Sequence, residues 1–99
     1  MIINVRMLAF MDGDVRPVNV PDTEICEDTQ RCLERVWHFG QNDFQPNPER
    51  CSVSMGDVAL FRGKLWIARS FGWGEITLAE LEAYEKLDRH DRAWSEYTK

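Results

Sequence analysis

The chain has 99 residues, 43% hydrophobic and 29% charged, enough for one domain with a buried core and too apolar for a disordered tail. No apolar run approaches membrane-spanning length and the N-terminus lacks a charged-then-apolar leader, so a cytoplasmic chain without membrane contact is expected. The net charge of −5 disfavours generic binding to a phosphate backbone, because a few cations would have to cluster to overcome it.

Residues 2–11 and 15–20 read as strands flanking Asp12-Gly13, a two-residue hairpin signal. That register sets Met7 opposite Val18 and Val5 opposite Val20 on the core side, with Arg6 and Asn19 facing outward. Pro17 donates no ladder hydrogen bond, which makes the second strand an edge.

Pro21-Asp22-Thr23 opens a helix, with Asp22 or Thr23 as N-cap and Glu24, Glu27 and Asp28 at the positive end of its dipole. Ile25, Thr29, Cys32, Leu33 and Val36 recur at helical spacing as one buried stripe, and Gly40 stops the helix as a C′ glycine. Trp37 and Phe39 fall on the last turn, packed under the following loop. Three cysteines, Cys26, Cys32 and Cys51, argue against a disulfide framework. On one helix, a six-residue separation puts Cys26 and Cys32 on different faces, unlike the ligand pairs of zinc sites, so the thiols read as reduced and structural.

Gln41 to Arg50, QNDFQPNPER, has two prolines, two asparagines and no periodicity, and reads as a loop. Phe44 is its one apolar side chain, either an anchor to the core or a contact tip.

A second hairpin joins residues 57–61 to residues 64–71 through Arg62-Gly63. With that loop, Phe61 lies opposite Lys64, Leu60 opposite Leu65, Ala59 opposite Trp66 and Val58 opposite Ile67. Val58, Leu60, Leu65 and Ile67 share one face, read as the core. Ala59, Phe61, Trp66 and Ala68 share the other, which is too apolar for free solvent and calls for a helix or a partner. The preceding Ser54-Met55-Gly56-Asp57 is a turn with Gly56 at positive φ and Asp57 or Ser54 bonding the backbone, not a phosphate cradle. Trp73 stands between Gly72 and Gly74, either packed over the sheet edge or exposed as an interface anchor.

Thr77-Leu78-Ala79-Glu80 is a capping box. It starts a second helix with Leu81, Tyr84 and Leu87 toward the body, and Trp94 and Tyr97 further on. Glu82–Lys86, Glu85–Arg89 and Asp88–Arg92 are acid-before-base pairs that support an exposed helix face.

The block HFGQNDFQ (residues 38–45), followed by SVSMGDV (52–58) and SFGW (70–73), resembles a group of small bacterial proteins associated with phages, plasmids and other mobile elements. The second portion is distantly similar to YodL-like domains. The resemblance implies a stand-alone accessory protein and carries no activity, cofactor or site residue.

The residues themselves supply no chemistry. His38 has only Asp43 and Cys51 as local partners, with no third orienting group, and gains simply from sitting at a helix C-terminus. No catalytic, cofactor-binding or metal residue is expected, and the chain reads as non-enzymatic. The expected architecture is one α+β domain over residues 1–99: two antiparallel hairpins in a small sheet or half-barrel, packed with two helices. The expected function is protein–protein interaction, with a host or element protein or a second copy as partner, through Gln41, Asn42, Asp43, Phe44, Gln45, Phe61, Arg62, Trp66 and Trp73. Two alternatives are a nucleic-acid module stacking bases on Phe61, Trp66 and Trp73 beside Arg62, Lys64 and Arg69, and an acidic DNA mimic. The mimic would use residues 1–50, where nine acids face five bases.

Overall fold

The computed structural model describes residues 1–9, 13–41, 52–70, 72–93 and 95–98. Five strands, β1 (Ile2–Met7), β2 (Asp14–Asn19), β3 (Val58–Phe61), β4 (Lys64–Arg69) and β5 (Gly72–Ile76), form one antiparallel sheet in the order β2-β1-β3-β4-β5. Helix α1 (Thr29–Phe39) crosses one face, and α2 (Leu78–Glu85) with the short α3 (Arg89–Ala93) packs on the other. The expected α+β class holds.

The second hairpin has the expected register, Val58↔Ile67 through Phe61↔Lys64. Arg62 takes φ 54° and Gly63 φ 74°, the left-handed pair that a two-residue loop needs. The first hairpin differs. Ile3 pairs with Val18, Val5 with Arg16 and Met7 with Asp14, so the register is shifted by four residues from the expected one. β1 ends at Met7 and β2 begins at Asp14, with Gly13 N–H donating to Met7 O at 2.9 Å, while residues 10–12, and with them Asp12 of the expected turn, lie outside the described residues. An even shift keeps every side chain on its face: Met7, Val5, Val18 and Val20 remain buried while Arg6 and Asn19 remain exposed. Pro17 lies on the edge strand, as its missing donor requires.

The first helix begins later than its acids suggest. Asp22–Glu24 form only a single 3-10 turn, and Asp28 caps α1 by accepting Arg31 N–H at 3.2 Å. Cys32, Leu33 and Val36 form the buried stripe, while Ile25 packs against it from outside the helix. Gly40 ends the helix, with φ −78° instead of a left-handed cap. Its reason is close approach: a β-carbon there would overlap the Val53 side chain and stand 2.7 Å from Val36 O.

The second helix has its capping box, with Thr77 Oγ1 accepting Glu80 N–H at 3.1 Å and Glu80 Oε1 accepting Thr77 N–H at 3.0 Å. The expected continuous helix is broken after Glu85. Arg92 turns inward and donates to Leu87 O at 2.9 Å and Leu8 O at 2.8 Å, and Asp88 caps α3 by accepting Asp91 N–H at 2.8 Å. Glu85 reaches Arg6 on β1 at 2.9 Å. Leu81 and Tyr84 are buried and Leu87 and Tyr97 half-buried against them, whereas Trp94 lies outside the described residues.

Candidate functional site

The two faces of the second hairpin have the expected membership, and each is covered by helix over part or all of its area. Ala59, Phe61, Ala68 and Trp73 lie under α1, in a core with Ile3, Val5, Met7, Leu33 and Val36. Phe61 is 2% exposed and Trp73 6%, and Trp66 is half-buried with its Nε1–H donating to Phe61 O at 3.2 Å. Gln30, on the first turn of α1, clamps the Trp73 main chain: its Nε2 donates to Trp73 O at 2.8 Å and its Oε1 accepts Trp73 N–H at 3.2 Å. Of the two covers the sequence allowed for this face, a helix is the one found, and the expected contact role of Phe61 and Trp73 is corrected to packing under α1.

The aliphatic face is the one left partly open. On it, the cross-strand rows run Val15–Arg6–Val58–Ile67 and Pro17–Asn4–Leu60–Leu65–Ile76. Helix α2 covers the β3-β4-β5 side, burying Val58, Ile67 and Ile76. The β2-β1 side is not covered, and Leu60 is 54% exposed, Val15 52% and Ile2 64%. Leu65 is half-buried at the boundary. Between them runs a groove of about 230 Å3 lined by Asn4, Arg6, Val15, Leu60, Leu65 and Leu81. Arg6, held by Glu85, bridges its floor to α2.

The expected cations are committed to their own chain. Arg62 lies over the Phe61 ring at 4.8 Å and donates to Glu27 O at 2.8 Å, to Thr29 Oγ1 at 3.0 Å and to Cys26 O. Lys64 pairs with Glu75 at 3.4 Å, and Arg69 Nε donates to Tyr97 O at 3.0 Å. Gln41 Nε2 donates to Trp37 O at 2.8 Å and Val53 O at 3.2 Å, tying off the end of α1. Asn42, Asp43, Phe44 and Gln45 lie outside the described residues, as does Cys51. His38 is exposed on the last turn of α1, edge-on to the Phe39 ring at 4.9 Å.

Two clusters escaped the sequence reading in part or whole. The turn at Gly56 has the expected positive φ, and Asp57 goes further than closing it. Its carboxylate accepts N–H groups from Ser54 at 2.8 Å and from Leu8 and Ala9 at 2.9 Å. Burial pushes the Asp57 carboxyl above its ordinary value, against these three bonds and the charge of Arg16. Tyr84 donates to Gly56 O at 2.8 Å, and burial raises its phenol to about 12. These groups rim a cavity of about 200 Å3 between Ala9, Ser54, Met55, Tyr84, Arg92 and Thr98. Their bonds go to main-chain atoms, so the cluster braces the fold.

The second cluster is Cys26 and Cys32. Because Cys26 precedes the helix instead of riding on it, the two sulfurs stand 3.7 Å apart, and the expected placement on separate faces is corrected. Comparison with known proteins returns no match to any family model, curated protein or solved structure.

Proposed function

We propose that the protein acts by binding another protein through the uncovered aliphatic half of its sheet, centred on Leu60 with Val15, Ile2 and Leu65 around it. The observation that carries this reading is Leu60. It is a leucine in an interior strand, 54% exposed, on the face where α2 buries Val58, Ile67 and Ile76 and leaves β1 and β2 open. Exposed apolar side chains interleaved with polar ones, here Asn4 and Arg6 on β1, are a composition that protein interfaces share. The reading suits a non-enzymatic accessory protein of the kind the sequence motifs imply. It is favoured over base stacking because the aromatic rings are under α1 and Arg62, Lys64 and Arg69 are engaged within the chain. The acidic-mimic reading has less support, since Glu24 pairs with Arg35 and Asp22 with the N-terminal ammonium.

The test compares the tagged wild-type chain with a Leu60→Asp variant in recovery of a co-purifying protein from the cells that make it, with circular dichroism as a check on folding. Loss of the same partner from a folded Leu60→Asp variant supports the assignment. Equal recovery by both chains removes the site.

A further inference from the structure

Cys26 and Cys32 sit on either side of the start of α1, and the cap at Asp28 folds the chain between them so that Cys26 lies back over the second helical turn. Cys26 is half-buried and Cys32 fully buried. The Cys32 thiol donates to Cys26 O at 3.1 Å and accepts Cys26 N–H at 3.2 Å, with Arg62 Nη2 at 3.8 Å. Arg62 is itself fixed there by Glu27 O, Thr29 Oγ1 and Cys26 O. The two sulfurs stand 3.7 Å apart, close enough for a small side-chain adjustment to join them. One thiol that solvent can reach, touching a second that only the first can reach, is the arrangement of an attacking and a resolving cysteine.

We propose that Cys26 and Cys32 are a reversible dithiol–disulfide site, oxidised by a low-molecular-weight disulfide of the glutathione type. The Cys26 thiolate attacks one sulfur of that disulfide. A bond forms between Cys26 Sγ and one glutathionyl group, and the other leaves as a thiolate that takes up the proton Cys26 released. The Cys32 thiolate then attacks Cys26 Sγ, closing the Cys26–Cys32 bond and expelling the second glutathione thiolate, which takes up the proton from Cys32. The protein gives two electrons and two protons, and one small disulfide becomes two thiols. Arg62 is a positioning residue: its bonds to Cys26 O, Glu27 O and Thr29 Oγ1 hold the 26–29 turn. In a reducing compartment such pairs act as transient sensors rather than permanent staples.

Equilibrating the full chain with glutathione disulfide, alkylating free thiols and digesting with trypsin tests the site. Cleavage at Arg31 separates the two cysteines, so their peptides stay joined only through the new bond. The expected result is one joined species that separates on reduction. A Cys32→Ser chain is expected to stop at the first step and keep glutathione on Cys26. Wild-type chain in which Cys26 and Cys32 both remain open to alkylation, or in which Cys26 keeps its glutathionyl group beside an intact Cys32, overturns the proposal. An Arg62→Gln chain is expected to close several-fold more slowly, and an Arg62→Lys chain to recover part of that rate. Closure of the Arg62→Gln chain at the wild-type rate overturns the part given to Arg62.

Discussion

Asp57 accepts the main-chain N–H of Leu8 at 2.9 Å, joining positions 49 residues apart where β1 ends. The carbonyl of the same Leu8 accepts Arg92 Nη1 at 2.8 Å, so both polar groups of one residue leaving the sheet are satisfied by side chains from distant parts of the chain. Buried main-chain groups need partners, and here the ladder cannot supply them. Asp57→Ala strands three N–H donors at once and is expected to cost on the order of 3 kcal/mol or more. Urea unfolding should show a lower midpoint with an unchanged slope.

Tyr84 and Asp57 give stability two pH windows. The folded phenol titrates near 12 against an ordinary value of 10.0, so the native state holds its proton after the unfolded chain has lost it. Stability is expected to fall between those values, and Tyr84→Phe should flatten the decline while costing about 1 kcal/mol at neutral pH for the lost bond to Gly56 O. The Asp57 carboxyl is raised above 3.8, so its titration is expected to remove stability as pH climbs from 3.8 through the folded value. Unfolding midpoints measured across acid and alkaline series check both signs.

The burial of the aromatic face predicts that its residues act on stability. Phe61→Ala and Trp73→Ala are each expected to cost roughly 3–5 kcal/mol. Leu60→Ser, on the open face, should stay within about 0.5 kcal/mol of wild type. Thermal unfolding of the three variants separates the two faces.

Gly40 and Val53 are expected to be coupled. Gly40→Ala should cost roughly 1–3 kcal/mol by overpacking against Val53. In a double-mutant cycle with Val53→Ala the penalty should shrink without vanishing, because Val36 O still stands 2.7 Å from the new methyl.

The second hairpin was legible because two strands and a two-residue loop leave one register open, and Arg62-Gly63 fits that loop. The first was misread for a physical reason. Asp12-Gly13 resembles the same turn, but Leu8 is drawn off the strand into the α2-side core, its backbone held by Asp57 and Arg92. No local pattern contains those partners. Side-chain alternation gives which residues share a face and says nothing of which face a helix will cover. Alternation therefore groups the exposed Leu60 with the core residues Val58 and Ile67, and leaves the buried Phe61 and Trp73 open between a packing and a contact role. The cysteine pair was missed because its proximity depends on where α1 begins, and Asp28 was one of several acids able to cap it.

The middle position of β1 has a consequence for how the protein is assembled. Ile2–Met7 can zip to β2 as soon as both exist, but its second edge waits for Val58–Leu60, more than fifty positions later. Until then a hydrophobic ribbon with one bare edge is present on the nascent chain, open to wrong partners. Closing that edge is the long-range step expected to set the pace of folding.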